Sequence, residues 1–167
     1  SGNTLVQYSV GATGQLTQIG SVATGTGPGL VRVTPDGKYV YVGNWTGTSI
    51  SSYTVNQDTG VLTSLAPTAA TLGTAPRGLA ITPDGQYLYA TAFTAGKVYQ
   101  YRINANGSLT SAGADLTLTN ATLVTTSPDS RYVYVAQQGS NVLAQYSVGV
   151  GGALTAMSPA SVSLSGT

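Results

Sequence analysis

The sequence predicts an all-β protein built from β-propeller blades, each a four-stranded antiparallel sheet, and an internal repeat is the first reason. The motif TPDGKYVYVGN at Thr34–Asn44 recurs as TPDGQYLYATA and SPDSRYVYVAQ. A second marker, a tyrosine in a strand-like run, falls at Tyr8, Tyr53, Tyr101 and Tyr146, with spacings of 45, 48 and 45 residues. Repeats of about 40 to 50 residues that each hold four short strands are typical of propellers.

Each full repeat contains four strand-like runs, named a to d, and these are separated by turn residues. In the first full repeat they are predicted at Leu30–Thr34, Tyr39–Gly43, Ser49–Val55 and Val61–Leu65. The a–b link is Pro-Asp-Gly in two copies, where proline presets φ and glycine takes the left-handed conformation. The third copy has Ser130 instead of glycine, which we expect to cost up to about 1 kcal/mol. No segment has a helical apolar period, so we expect almost no helix.

Strand b carries bulky residues on both of its faces. Tyr39–Val42, Tyr87–Ala90 and Tyr132–Val135 alternate tyrosine with aliphatic residues. An antiparallel sheet with one face in water would alternate apolar and polar residues instead. Two covered faces are expected of a blade that lies between neighbours in a ring.

The repeats amount to about three and a half blades, or half of a seven-bladed ring. Residues 1–25 supply only strands c and d of one blade, and complete blades are predicted at residues 28–71, 76–118 and 121–162. An open arc leaves blade faces and a sheet edge without partners. The expected partners are therefore the remaining blades, in the same longer chain, in another chain or in another copy.

Composition excludes several kinds of function. Charged residues make up 7% of the chain, the net charge is +1, and both His and Cys are absent, as is Glu. These absences exclude Ser-His-Asp and Cys-His catalysis and metal sites built from imidazole or thiolate. Nucleic acid is not an expected partner because no basic cluster is present, and no apolar run approaches the ~18 residues of a membrane span. Asp36, Asp84 and Asp129 fall in the a–b turns and are interpreted as turn caps, so we predict no catalytic residue, metal or cofactor.

The repeat pattern resembles that of a known family. The sequence G-P-x-x-L-x-x-TPDG-x-YVYV-x-N, followed by x-x-Y-x-V and G-x-LT, is similar to the YVTN-type repeat of seven-bladed propellers in the lactonase-like superfamily. The resemblance covers essentially the whole chain, and Tyr39–Asn44 is close to the signature strand. It implies the propeller fold. The family includes 6-phosphogluconolactonase-like enzymes but also bacterial surface and periplasmic propellers, and a shared fold does not fix the function.

Candidate ligand-binding residues come from strand a, which lines the central channel in propellers. The residues aligned at the channel mouth are Gly29, Arg77 and Thr122, and a few positions further on the aligned residues are Arg32, Ala80 and Thr125. An arginine in a neutral channel can bind an anion or carboxylate through two parallel hydrogen bonds. The candidates for a small anionic or sugar ligand are therefore Arg77, Arg32, Thr122 and Thr125. The alternative is that the arginines are solvated at blade junctions.

Two aromatic residues are further candidates. Trp45 and Phe93 follow strand b, in loops on one face of the ring. Exposed aromatic side chains there could stack on a sugar or a protein partner. The alternative is that they pack against the adjacent blade.

The leading functional hypothesis is a non-enzymatic propeller, a scaffold or protein-binding module that forms part of a larger or assembled ring. The neutral surface rich in Thr, Ser and Gly favours a location outside the cytoplasm, in the periplasm, at the cell surface or secreted. The first alternative is a fragment of a lactonase-like hydrolase of the 6-phosphogluconolactonase type, whose chemistry needs a base to activate water. The second alternative is a self-assembling structural subunit.

Overall fold

The computed structural model describes residues 2–164, with the side chains of all of these except 66–69. The described chain forms one two-stranded half blade and three blades, and in each sheet consecutive antiparallel strands pair. The prediction of an all-β fold made of propeller blades is therefore confirmed.

The strands follow the repeat. The half blade consists of β1 (Thr4–Val10) and β2 (Leu16–Ala23). Blade one consists of β3 (Pro28–Val33), β4 (Tyr39–Asn44), β5 (Ser49–Val55) and β6 (Leu62–Thr71). Blade two consists of β7 (Gly78–Ile81), β8 (Tyr87–Ala92), β9 (Lys97–Ile103), β10 (Leu109–Ser111) and β11 (Leu116–Thr117). Blade three consists of β12 (Ala121–Thr126), β13 (Tyr132–Gln137), β14 (Val142–Val148) and β15 (Leu154–Ser163), and a 3₁₀ helix at Val150–Gly152 precedes β15. Between residues 2 and 164 no helix is long and apolar enough to cross a membrane.

The outer strand of blade two is broken into β10 and β11, which adds one strand to the fourteen expected of three and a half four-stranded blades. Both pieces pair with β9. Between them the chain bulges around Gln100, whose backbone oxygen accepts a hydrogen bond from the amide of Ala112 at 2.9 Å. The other three sheets have a register shift at the same place in their c strands without a break.

The apolar core lies between blades rather than inside any one of them. Tyr41 and Tyr89, at equivalent positions of β4 and β8, are both fully buried. Tyr41 packs in the cluster between blades one and two, and Tyr89 packs in the cluster between blades two and three. A third cluster, which contains Val40 and Tyr53, joins blade one to the half blade. Strand b therefore needs bulky residues on both faces because each face meets a different blade.

A tyrosine–turn contact links blade one to blade two and blade two to blade three. The hydroxyl of Tyr41 donates to the backbone oxygen of Gly107 at 2.8 Å, and the hydroxyl of Tyr89 donates to that of Gly152 at 2.8 Å. Both glycines end c–d turns and have positive φ values of 79° and 89°. Each contact joins strand b of one blade to the c–d turn of its neighbour.

The three inner strands lie side by side. Strand β7 contacts β3 on one side and β12 on the other. Within their blades Arg32 pairs with Tyr41, Ala80 with Tyr89 and Thr125 with Tyr134. The register therefore places the three aligned residues of strand a at equivalent positions.

The aspartates of the a–b turns are held by their own turns. One carboxylate oxygen of Asp36 accepts hydrogen bonds from the hydroxyl of Thr34 at 2.7 Å and the amide of Lys38 at 3.1 Å. These two hydrogen bonds lower the pKa of Asp36, and the bond from Thr34 has the larger effect. Asp84 and Asp129 make the equivalent bonds to Thr82 and Gln86 and to Ser127 and Arg131.

A hydrogen bond across a blade junction compensates for the conformational cost expected at Ser130. Ser130 keeps the left-handed conformation, with φ 60°. Its hydroxyl oxygen accepts a hydrogen bond from the amide of Asp84 at 3.0 Å, across the junction between blades two and three. A hydrogen bond of this kind contributes about 1 kcal/mol, which is similar to the conformational cost.

Alkaline pH is expected to unfold the protein. Burial raises the pKa of Tyr101 to about 12, and it raises the pKa of Tyr41 and Tyr89 above the ordinary value of 10.0. A phenol whose pKa is raised on folding stabilises the fold below the unfolded pKa, and this contribution is lost as the pH rises through the folded value. We therefore expect full stability up to about pH 10 and progressive loss towards about pH 12.

The measurement is a pH titration that follows tyrosinate absorbance and circular dichroism together. The buried tyrosines should ionise in the same step in which the strand signal is lost. Independent ionisation of all 11 tyrosines near pH 10, with the fold intact, would contradict the expectation.

Candidate functional site

Three of the sequence-predicted residues meet at one end of the inner strands. The guanidinium carbon of Arg77 lies 5.9 Å from the ring centre of Trp45 and 5.9 Å from that of Phe93. Both distances are within the range of cation–π attraction, which is worth about 0.5–1 kcal/mol at an exposed site. We name Trp45, Arg77 and Phe93 the mouth cluster.

Antiparallel pairing brings these residues together. Arg77 immediately precedes β7, while Trp45 and Phe93 immediately follow β4 and β8. In an antiparallel pair the start of one strand lies beside the end of its partner. The amide of Arg77 donates to the backbone oxygen of Thr91, near the end of β8, at 2.7 Å. The mouth cluster therefore combines residues from blades one and two.

Gly29 makes room for the tryptophan. A Cβ atom at Gly29 would lie 2.7 Å from Cδ2 of the Trp45 ring, closer than real Cβ atoms approach. Gly29 occupies the position of blade one that corresponds to Arg77 in blade two. The absence of a side chain in one blade thus lets the Trp45 ring approach the Arg77 side chain of the next.

Asn44 is a positioning residue that the sequence reasoning missed. Its side chain is fully buried, and Nδ2 donates to Ser49 Oγ at 2.9 Å and to Ser51 Oγ at 3.0 Å. These bonds tie the end of β4, directly before Trp45, to the start of β5. The signal in the sequence was a polar residue at the end of a strand that is otherwise buried on both faces.

The mouth cluster carries an exposed positive charge. Arg77 is exposed, and Trp45 is 46% exposed. Within residues 2–164 the salt bridges join Lys38 to Asp36 at 3.2 Å and Lys97 to Asp115 at 3.1 Å, so neither involves Arg77. An arginine whose guanidinium has no carboxylate partner is suited to bind an external anion through its parallel N–H donors.

Thr122 lies next to the mouth cluster on blade three. Its backbone oxygen accepts a hydrogen bond from the hydroxyl of Thr91, and its own hydroxyl donates to the backbone oxygen of Ala136 at 3.0 Å. A Cβ atom at Gly78, the residue after Arg77, would lie 2.5 Å from the backbone oxygen of Thr122. Thr122 therefore holds β12 tightly against the start of β7.

Arg32 and Thr125 lie further along the inner strands. Both are exposed, and they stand three residues beyond the mouth position, about 10 Å at the usual rise of a strand. The Nη1 atom of Arg32 donates to the backbone oxygen of Val31 at 2.9 Å. Arg32 thus provides a second exposed guanidinium on the inner strands, separate from the aromatic pair.

The chemistry available at the mouth cluster is binding rather than proton transfer. An arginine and two aromatic rings can hold an anion and an apolar face, but none of them takes a proton from water at neutral pH. The turn aspartates Asp36, Asp84 and Asp129 lie beyond the opposite ends of the inner strands. A base for hydrolysis is therefore not part of this cluster.

A family model matches most of the chain. The model described as "Lactonase, 7-bladed beta-propeller" matches residues 3–126. The chain belongs to this lactonase family. The resemblance inferred from the repeat is thereby confirmed. No curated protein matches the sequence.

Solved structures agree with the lactonase fold. A candidate 6-phosphogluconolactonase from Bacteroides uniformis is 20% identical, with a TM-score of 0.82, over 93% of this chain and 47% of that one. Another from Bacteroides fragilis is 25% identical, with a TM-score of 0.74, over 92% and 50%. The periplasmic gluconolactonase of Pseudomonas aeruginosa is 22% identical, with a TM-score of 0.81, over 98% and 51%. The chain thus spans about half the length of each of these structures.

The prediction of a non-enzymatic scaffold is wrong. The family model and the similar structures bear lactonase names, so they favour the hydrolase that stood as the alternative. The prediction rested on the fixed repeat, the neutral surface and the absence of His and Glu from the sequence. That absence does not exclude a hydrolase, because a chain that spans about half the length of the similar structures need not carry every residue of a site at the centre of the ring.

Proposed function

We propose that this chain forms half of the ring of a sugar-lactone hydrolase. In this proposal the mouth cluster binds the anionic group and one face of the substrate, and the remaining blades complete the channel. The exposed Arg77 guanidinium, 5.9 Å from the centres of two aromatic rings, is the observation that carries the proposal.

The chemistry of the cluster supports this substrate class. The planar fork of Arg77 matches the geometry of a phosphate or carboxylate. The rings of Trp45 and Phe93 offer flat apolar surfaces of the kind that stack on the C–H face of a sugar. Arg32, further along the channel, gives a second positive charge for a product that is an acid.

In the reaction, a water oxygen attacks the lactone carbonyl carbon and loses its proton to a base. The ring C–O bond then breaks, and the ring oxygen takes a proton to become a hydroxyl group. The mouth cluster orients the lactone for this attack, which lowers the entropic part of the barrier. The base that activates water has to come from elsewhere in the completed ring.

The proposed location of this protein is outside the cytoplasm, and the name of the Pseudomonas relative, a periplasmic gluconolactonase, supports it.

Trp45 provides a direct test of binding, because it is the only tryptophan in the chain. Titration with 6-phosphogluconate should change its fluorescence, whereas neutral glucose should have little effect. Replacing Arg77 by alanine should weaken 6-phosphogluconate binding by about ten- to a hundredfold, since a hydrogen-bonded charge is worth about 1.5–3 kcal/mol. Arg77→Lys should recover part of this loss.

Arg102→Ala is the matched control, because Arg102 is also exposed but lies on β9, outside the mouth cluster. It should bind 6-phosphogluconate like the unaltered chain. Equal responses to glucose and 6-phosphogluconate, or an Arg77→Ala variant that binds normally, would overturn the assignment of the cluster. Absence of lactone hydrolysis by the complete ring would overturn the proposed activity.

A further inference from the structure

A cleft of about 540 Å³ lies between blades one and two, at the end of the inner strands opposite the mouth cluster. Its walls are the a–b turns of the two blades, which follow β3 and β7, and the c–d turn that follows β9. Volumes of about 300–1,000 Å³ are typical of sites for small molecules. None of the mouth cluster residues lines this cleft, so it is a separate candidate site.

The cleft is open because Gly85 lies where blade three has Ser130. At the junction between blades two and three, the hydroxyl oxygen of Ser130 accepts a hydrogen bond from the amide of Asp84 at 3.0 Å. A Cβ atom at Gly85 would lie 3.5 Å from Cδ of Pro35, on the facing turn of blade one. Position 85 therefore faces blade one as Ser130 faces blade two, but it has no side chain that could cross the cleft.

This difference leaves a hydrogen-bond donor free on the blade one side of the cleft. Asp36 lines the cleft and is the counterpart of Asp84 in the repeat. Within residues 2–164 the amide of Asp36 has no acceptor, whereas the amide of Asp84 uses the hydroxyl oxygen of Ser130. A ligand hydroxyl is therefore suited to the position that the Ser130 side chain fills at the other junction.

The blade two side of the cleft carries a negative charge without a counter-ion. Asp84 lines the cleft, and its Oδ1 atom accepts the turn hydrogen bonds from Thr82 and Gln86. In the described part of the chain its Oδ2 atom has no partner, while the carboxylate of Asp36 pairs with Lys38 at 3.2 Å. The lining thus keeps one unpaired carboxylate, which favours a ligand with an ammonium group.

The rest of the lining suits the carbon skeleton of a small ligand. Pro35, Tyr39 and Ile103 add apolar surface to the walls. The Tyr39 side chain is fixed, because its hydroxyl donates to the backbone oxygen of Ala105 at 2.6 Å. A wall that is already ordered lowers the entropic cost of binding.

We propose that this cleft binds a small hydroxylated amine, the chemical class to which amino sugars belong. The ammonium group binds the carboxylate of Asp84, and a hydroxyl oxygen of the ligand accepts the hydrogen bond from the amide of Asp36. The inference goes beyond lactone hydrolysis and does not depend on it. The cleft and the mouth cluster lie at opposite ends of the inner strands, and they attract charges of opposite sign.

The test uses glucosamine as the probe and the backbone amide NMR signals of the isotope-labelled chain as the readout. Glucosamine should shift the signal of Asp36 in a saturable way and leave that of Arg77 unchanged. Glucose lacks the ammonium group, and N-acetylglucosamine has an uncharged amide in its place. Both should therefore bind about tenfold or more weakly than glucosamine.

Asp84→Asn tests the charge, because asparagine keeps an oxygen that can accept the turn hydrogen bonds. It should weaken glucosamine binding about tenfold or more. Asp129→Asn makes the same change in the equivalent turn of blade three, outside the cleft. This matched control should bind glucosamine like the unaltered chain.

Gly85→Ser tests the shape, because it adds the side chain that blade three has at position 130 and should abolish binding. Gly37→Ser is its control, since Gly37 has a φ of 73°, against 72° at Gly85, and does not line the cleft. Equal binding of glucose and glucosamine, normal binding by Gly85→Ser, or no saturable shift would overturn the proposal. Shifts confined to Arg77 would place the amine at the mouth cluster and would also overturn it.

Discussion

Replacing Tyr89 by alanine is expected to remove about 3–5 kcal/mol from the free energy of unfolding. The side chain is fully buried between blades two and three. Its removal leaves a cavity and also leaves the buried backbone oxygen of Gly152 without its hydrogen bond. Because single domains are stable by only about 5–15 kcal/mol, the variant should be partly unfolded at physiological temperature. Urea denaturation followed by circular dichroism measures the loss.

Tyr134→Ala is the control for this prediction. Tyr134 holds the same position in blade three but is partly exposed, so its loss should cost less than half as much. Tyr89→Phe separates the packing contribution from that of the hydrogen bond, since it keeps the ring and removes the hydroxyl. It should lower the free energy of unfolding by about 1 kcal/mol. Equal destabilisation by Tyr89→Ala and Tyr134→Ala would show that junction packing does not hold the blades together.

Replacing Gly152 by valine is expected to cost about 2–5 kcal/mol, the sum of a backbone and a packing contribution. A branched side chain strains the backbone at φ 89°, which contributes about 1–2 kcal/mol. The new Cβ would also lie 2.2 Å from the Tyr87 ring, and overpacking of this kind costs about 1–3 kcal/mol. Thermal and urea unfolding should both report the loss.

Gly151→Val is the matched control because Gly151 is the adjacent residue, with φ 82° and no neighbouring atom within 4 Å of the position that a Cβ would take. It should cost only the backbone part, about 1–2 kcal/mol. If the two valine variants unfold alike, the close approach of Tyr87 has no energetic consequence, and the tyrosine–turn contact is not a determinant of blade packing.

The fold could be predicted from the sequence because each of its parts has a local cause. Pro-Asp-Gly turns, alternating strand residues and the bulky faces of strand b all favour the same blade. Even the register of the inner strands follows, since Arg32, Ala80 and Thr125 pair with the tyrosines expected from the alignment. The break between β10 and β11 could not be predicted, because it depends on hydrogen bonds that the bulge makes to Gln100.

The candidate site was predicted residue by residue but not as a whole. Arg77, Trp45 and Phe93 were separate candidates, and only the folded loops bring the two rings within 5.9 Å of the guanidinium. The alignment showed a glycine at position 29. Its role in leaving space for the Trp45 ring depends on the orientation of that ring. Side-chain direction in loops is set by long-range packing, which a local pattern does not contain.

The tyrosine–turn contact has a consequence for how such a chain evolves. Each of the three blades carries both halves of this contact, a tyrosine pair on strand b and a glycine that ends the c–d turn. Duplication of a repeat therefore copies both halves at once. Loss of a turn glycine, in contrast, affects the blade before it, so Tyr87 and Gly152, far apart in the sequence, are expected to change together among descendants.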